Sequence, residues 1–104
     1  MDKRSLAYTL LQLIPPGYVT TYASLARVLG TSPRAVGRLM ASNPDPVIVP
    51  CHRVVKSNLD LGGYSMGGPM VKRRLLELEG VEFDSRGRVK RRHVILIDKL
   101  LLEG

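Results

Sequence analysis

Leu6, Leu10, Leu13 and Ile14 recur at helical spacing and predict an amphipathic helix over residues 3–14. Pro15-Pro16-Gly17 ends it, since proline lacks an N–H and its ring crowds the preceding turn. Val19-Thr20-Thr21-Tyr22 is β-branched and brief, and Thr20 or Thr21 can cap the helix that follows. This second helix, residues 22–29, puts Leu25, Ala26 and Leu29 on one face and stops at Gly30. Ser32 then reads as an N-cap, with Pro33 opening a third helix over 33–41. Val36, Leu39 and Met40 face inward there, while Arg34 and Arg38 share an outer face.

Asn43-Pro44-Asp45-Pro46 forms a stiff turn, and Val47-Ile48-Val49 reads as a short apolar strand leading into Pro50-Cys51-His52-Arg53 and Val54-Val55. Residues 56–68 are a glycine-rich loop of the kind that lets backbone approach a ligand. A fourth helix is expected over 69–79, with Val71, Leu75, Leu76 and Leu78 apolar, Lys72, Arg73 and Arg74 exposed, and Gly80 as its cap. Gly87 turns a small hairpin between residues 81–83 and Val89, and the basic run Lys90-Arg91-Arg92-His93 follows. The apolar stretch 94–102 suits a strand or a helix equally. The class expected is mainly α with a few short strands, in one domain spanning residues 1–104.

Two short helices broken by Gly30, with the small Ala26 allowing close approach, make a helix-turn-helix pattern. A helical hairpin inside a core would look the same. Charge separates the two readings: 16 Lys plus Arg against 9 Asp plus Glu leave a formal +7 on 104 residues. Such an excess favours a polyanionic partner, because each neutralised phosphate releases counterions, although it can also serve solubility alone. The arginines on the second helix of the pair favour DNA. No run is long enough to cross a bilayer. Asp2, and the lack of a small-residue cleavage site after 10–14, argue against a signal peptide, so a cytoplasmic, chromosome-associated location is expected, or a nuclear one in a eukaryote.

One cysteine cannot form an internal disulfide, and with only two histidines beside it a structural zinc site is not expected. Cys51 is therefore a small core residue or a reactive one. A nucleophilic thiol needs a base or a positive field; His52 can supply the first and Arg53 the second. Neighbouring side chains on extended backbone point to opposite faces, so either the chain bends sharply at Cys51 or a water bridges it to His52. A base must itself be held, and Glu79 at the end of the fourth helix is a candidate.

Val49-Pro50-Cys51-His52-Arg53-Val54-Val55 resembles the active-site motif of the O6-alkylguanine-DNA alkyltransferases. Tyr22-Ala23-Ser24-Leu25-Ala26, Arg34-Ala35-Val36-Gly37, Asn43-Pro44, Gly63-Tyr64-Ser65 and the stretch from Lys72 to Leu78-Glu79-Gly80 fall in the family's order, so the resemblance covers about residues 5–82 and leaves 83–104 unassigned. It implies a winged-helix-like DNA-binding domain, the family's C-terminal active-site domain alone, acting as a monomer without cofactor or metal. The implied reaction is a single, irreversible transfer of an alkyl group from O6 of a flipped guanine to Cys51. His52 would deprotonate Cys51 through a water and Glu79 would orient His52. Tyr22 would rotate the nucleotide and donate to guanine N3, and Arg34 would fill the gap in a duplex entered from the minor groove. Asn43 would tie the helix-turn-helix to the active-site strand. The carbonyls of Cys51 and Val54 would accept from the guanine amino group, the Ser65 N–H would reach O6, and Tyr64 and Met40 would line the pocket.

Met66 stands as an extra residue before Gly67-Gly68, and the family's usual N-terminal domain has no counterpart. The short length also resembles the alkyltransferase-like proteins, which bind alkylated guanine without transfer, flag it for excision repair and replace the cysteine by tryptophan or alanine. Cys51 favours transfer over that alternative. A cysteine hydrolase built on Cys51 and His52 would need an oxyanion hole, for which the sequence offers nothing.

Overall fold

A computed structural model describes residues 2–45 and 48–103. Four helices, α1 (Lys3–Leu11), α2 (Tyr22–Leu29), α3 (Pro33–Ala41) and α4 (Gly68–Leu78), surround a two-stranded parallel sheet of β1 (Thr20–Thr21) and β2 (Val54–Val55). The class is the expected one, mainly helical with few strand residues. Asp2 caps α1 by accepting from the Ser5 amide at 2.7 Å. The helix ends at Leu11, three residues short of the expected end. Leu13 and Ile14 instead donate to the carbonyls of Leu10 and Leu11 in tighter turns, which fits the bias of a residue before proline away from α geometry.

The caps of the helix pair are local and strong. Thr21 accepts from the Ser24 amide at 3.0 Å and Ser32 from the Ala35 amide at 3.1 Å, each worth about 1 kcal/mol. Gly30 ends α2 with φ +68°, where a side chain would be strained. Leu25 and Val36 are fully buried, and with α1 they build the larger core from Ala7, Leu10, Leu11, Ile14, Leu29 and Met40. Removing each such aliphatic side chain from water contributes about 1.5–3 kcal/mol.

Of the expected strand over 47–49, Val47 lies outside the described residues, as does Pro46, and the described residues 48–49 form no named strand. The Val49 N–H turns back to the Asp45 carbonyl at 2.9 Å, and Ile48 is 76 % exposed. A 3₁₀ turn, Cys51–Arg53, follows, so the strand comes after the cysteine, where β2 pairs in parallel with β1. Beyond residue 80 the chain builds a smaller core: Val81 and Val89 bury with Val19, Val55 and Leu76, and Gly87 turns a hairpin whose bridge joins Phe83 to Val89. The stretch left open between strand and helix is partly both. Val94 bridges Val19 in parallel and a single π turn covers Lys99–Glu103.

α4 begins at Gly68, one residue before the expected start, and Gly80 closes it as expected: with φ +93° it follows Glu79, its N–H returns to the Glu77 carbonyl at 3.0 Å and the Val81 N–H to that of Leu76 at 2.9 Å. The apolar stripe of α4 needs correction. Its inward stripe is Lys72, Leu75 and Leu76, while Val71 and Leu78 are 40 % and 74 % exposed. Lys72, expected on the outside with Arg73 and Arg74, is fully buried. The phase of the helix is set by Leu76, and a residue four positions earlier shares its face.

Candidate active site

Tyr22 is the first residue of α2, so strand β1 and the Thr21 cap together fix where its ring starts. Arg34 sits in the first turn of α3, and Met40 in its last. These two helices, the Cys51 turn and the glycine-rich loop enclose a cavity of about 680 Å³ lined by Tyr22, Arg34, Met40, Cys51, Tyr64 and Ser65 among others. Four of the expected residues do not line it: His52, Asn43, Val54 and Glu79 lie behind. The loop comes close to Tyr22 at Gly62, whose φ is +74° and where an added Cβ would stand 3.2 Å from the Tyr22 ring.

The chain does bend sharply at the cysteine. Pro50 enters the turn with ψ +66°, the Arg53 N–H returns to the Pro50 carbonyl at 3.0 Å, and the Val54 N–H takes the Cys51 carbonyl. Cys51 thereby reaches the cavity while only 4 % exposed. Asn43 braces the approach: its amide donates to the Val49 carbonyl at 2.8 Å, and its carbonyl accepts from the Asp45 N–H at 2.9 Å. The Cys51 carbonyl already accepts from Val54, and Val54 itself is fully buried.

His52 turns inward and is completely buried, with Nε2 3.0 Å from Glu79 Oε2. Burial would raise the Glu79 carboxyl, but hydrogen bonds from Arg53 and His52 bring it below its ordinary value. An ionised carboxylate only accepts, so Nε2 carries the proton. Burial pushes His52 below its ordinary value despite the pull of Glu79, which keeps the ring neutral near pH 7 and leaves Nδ1 as a bare acceptor. Nδ1 is buried and has no hydrogen-bond partner among the described residues. The arrangement is a held imidazole one residue from a thiol. Arg53, which the sequence offered only as a positive field, grips Glu79 twice, at 2.9 and 2.6 Å, and donates to the Ile14 carbonyl at 2.9 Å.

Two further buried polar contacts escaped the sequence. Lys72 donates to Tyr22 Oη and to the Gly63 carbonyl, both at 3.2 Å, beneath the cavity. Its position four before Leu76 was the available signal. Asp98, in the unassigned stretch, is buried against α2. Its carboxylate accepts from Ser24 Oγ, its N–H donates back to that oxygen at 3.0 Å, and Arg27 pairs with it at 3.1 Å. No local pattern marked this contact, which spans 74 positions.

A family model described as the DNA-binding domain of 6-O-methylguanine DNA methyltransferase matches residues 3–81. The chain belongs to this family. Within it, a methylated-DNA–protein-cysteine methyltransferase of Pyrobaculum aerophilum is 64 % identical over 80 residues, covering 77 % of this chain and 51 % of the relative. The O6-methylguanine-DNA methyltransferase structure from Pyrococcus kodakaraensis superposes with a TM-score of 0.69 at 48 % identity, over 75 % of this chain and 46 % of that one. Structurally similar over a greater share is S. pombe Atl1 in complex with damaged DNA containing O6-carboxymethylguanine, at 29 % identity and TM-score 0.73, over 89 % of this chain and 94 % of Atl1. This methyltransferase-family chain thus spans about half the length of the methyltransferases it matches and nearly all of Atl1. The helix-turn-helix of α2 and α3 lies within the matched DNA-binding domain. No helix among the described residues is long and apolar enough to cross a membrane.

Proposed function

We propose that residues 1–104 form a single domain that repairs DNA directly, moving an alkyl group from O6 of guanine to Cys51 once and irreversibly. The observation that carries this reading is a thiol on the wall of a cavity roomy enough for a purine, with a buried, neutral, carboxylate-held imidazole next to it in sequence. Glu79 holds His52, and His52 Nδ1 takes the Cys51 proton through a water. Thiolate then attacks the alkyl carbon. The S–C bond forms, the C–O6 bond breaks, and the electron pair leaves with guanine. The thioether has no nucleophile beside it to break it, so each molecule acts once.

A guanine inside a duplex hides O6, so the base must be flipped at a cost of a few kcal/mol. Arg34, exposed at the rim on α3, fills the vacated place in the stack. Tyr22 crowds the target phosphate and donates to N3. Met40 and Tyr64 wall the base, Ser65 donates its N–H to O6, and Asn43 ties the helix pair to the Cys51 turn. The Val54 carbonyl receives the guanine amino group beside that of Cys51. The net charge of +7 supports a polyanionic partner; in this reading the chain acts as a monomer on double-stranded DNA, enters from the minor groove and works where the chromosome lies, in the cytoplasm or, in a eukaryote, the nucleus. Arg34 beside the cavity mouth and the DNA complex of Atl1 support the same partner.

The near-complete span of Atl1 favours one alternative, lesion binding that recruits excision repair without transfer. Mass spectrometry separates the two. Incubated with an O6-methylguanine duplex, the chain gains one methyl group on the peptide holding Cys51 if it is a transferase and none if it is a sensor. Cys51→Ala abolishes the gain and keeps lesion binding; loss of binding as well would make the thiol structural.

A further inference from the structure

We propose that the hairpin over 81–89 and the basic turn after it form a second DNA-contacting surface. It holds backbone phosphates of the duplex outside the cavity and takes no part in flipping or transfer. The inference rests on the chain acting on duplex DNA, and it concerns a segment that begins where the family match, residues 3–81, ends. Over residues 82–92 five cations, Arg86, Arg88, Lys90, Arg91 and Arg92, stand against two carboxylates, Glu82 and Asp84. All five but Arg88 are exposed. Asp84 is already engaged, because its carboxylate accepts from the Arg86 and Arg88 amides at 2.8 and 3.0 Å and so shapes the turn. Glu82 serves Lys90 and Arg92 together, and Arg88 reaches Asp60 at 3.3 Å. Arg86 and Arg91 have no ion pair among the described residues. Exposed pairs contribute little, so a phosphate can take the place of Glu82 on Lys90 and Arg92.

Charge carried for solubility alone needs no fixed frame, and this strip has one. The Asp84 N–H donates to the Arg88 carbonyl at 2.8 Å and the Lys90 N–H to that of Glu82 at 3.0 Å. The Arg73 guanidinium lies over the Phe83 ring, 4.5 Å from its centre. His93 fastens the base of the hairpin, accepting from the Glu82 N–H at Nε2 and donating from Nδ1 to the Gly17 carbonyl, at 3.1 and 2.9 Å. The strip also has a definite place beside the cavity. The Val89 N–H donates to the Leu59 carbonyl at 2.9 Å, and Asp60, the partner of Arg88, accepts at its carbonyl from the Lys56 N–H at 2.9 Å. Lys56 and Ser57 line the cavity, so one short loop joins its wall to the basic hairpin. The molecule is 37 Å in its longest direction, comparable to one turn of duplex at roughly 34 Å. A duplex with one base in the cavity therefore still has phosphates to present to the strip.

The experiment measures binding of an undamaged duplex and of an O6-methylguanine duplex by fluorescence anisotropy over a series of salt concentrations. The variant is Arg86→Ala with Arg91→Ala, two exposed positions outside the cavity; Lys3→Ala with Arg4→Ala removes the same charge from exposed positions on α1. Each phosphate contact contributes about 0.9 to the slope of log K against log salt, so the hairpin variant should lose about 1–2 from that slope and about 10-fold in affinity at low salt. The loss should be equal for both duplexes, and methylation of Cys51 by saturating lesion duplex should keep its wild-type rate. The α1 variant should keep the wild-type slope. An unchanged slope in the hairpin variant would overturn the proposal. So would equal losses in the two variants, which mark net charge rather than a surface, or a loss confined to the lesion duplex, which places the arginines in flipping. Absence of methyl gain in wild type removes the transfer reading instead and leaves the slopes, read on undamaged DNA, to decide the strip.

Discussion

Replacing Glu79 by glutamine tests the link between fold and site with one atom's change. Glu79 accepts three hydrogen bonds, at 3.0 Å from His52 and at 2.9 and 2.6 Å from Arg53. Glutamine keeps one acceptor oxygen and turns an NH₂ donor toward a guanidinium that can only donate. Breaking a fully buried ion pair from one side costs about 3–5 kcal/mol. Here the side chains of Arg53 and Glu79 are 12 % and 17 % exposed, so water recovers part of the loss. The expected destabilisation is about 2–3 kcal/mol, the range of one or two charge-assisted bonds. For a domain of this size that lowers Tm by roughly 10–20 °C. The pH dependence has a definite sign. The folded pKa of Glu79 lies below its ordinary 4.5, so its contribution is fully present above that value and disappears as pH falls through the folded pKa. Thermal melts followed by circular dichroism should therefore show a constant gap between wild type and E79Q above about pH 5.5, closing below about pH 4.5. A neutral-pH difference under about 0.5 kcal/mol, no more than a surface substitution gives, or a gap unchanged at pH 3, would refute the reasoning.

Arg34→Ala removes an exposed side chain and should leave Tm within about 0.5 kcal/mol of wild type, yet slow transfer on duplex DNA while sparing transfer from the free base, which needs no flipping. An equal loss on both substrates would place Arg34 in chemistry rather than in the stack. Asp98→Ala leaves Ser24 and Arg27 without their acceptor and should cost about 1–3 kcal/mol in urea denaturation, whereas an unchanged midpoint would show that the stretch beyond residue 94 is dispensable to α2. Leu25→Ala opens a cavity in a fully buried position and should cost about 2–5 kcal/mol by the same assay; a loss under about 1 kcal/mol would mean that the core closes over it.

The helix pair was legible because its signals are local: Thr21, Gly30, Ser32 and Pro33 each act within one turn of themselves. The described part of the expected strand, residues 48–49, forms no named strand, because apolar, β-branched residues next to proline look alike whether they pair or merely turn. Sheet pairing depends on a partner, and the partner of β2 is β1, 34 positions away from it at Thr20↔Val54. Lys72 was misplaced because three consecutive cations suggest a wet face, and only the helix phase set by Leu76 reveals which one points in. Within the candidate site, the residues named from the resemblance include both cavity-lining and supporting positions, while Arg53 and Asp98 owe their contacts to distant segments that periodicity cannot see.

The 3₁₀ turn at Cys51–Arg53 sends three successive side chains to three destinations: the cavity, the interior and the bridge between Glu79 and the Ile14 carbonyl. With three residues per turn, adding or deleting one would rotate every side chain beyond it by about 120°. That would trade thiol for imidazole and imidazole for guanidinium at fixed points in space. The segment is therefore locked in length as firmly as in residue identity. The spacing between Pro50 and Val54 acts as a ruler for the site: a one-residue insertion there should abolish methyl transfer to Cys51.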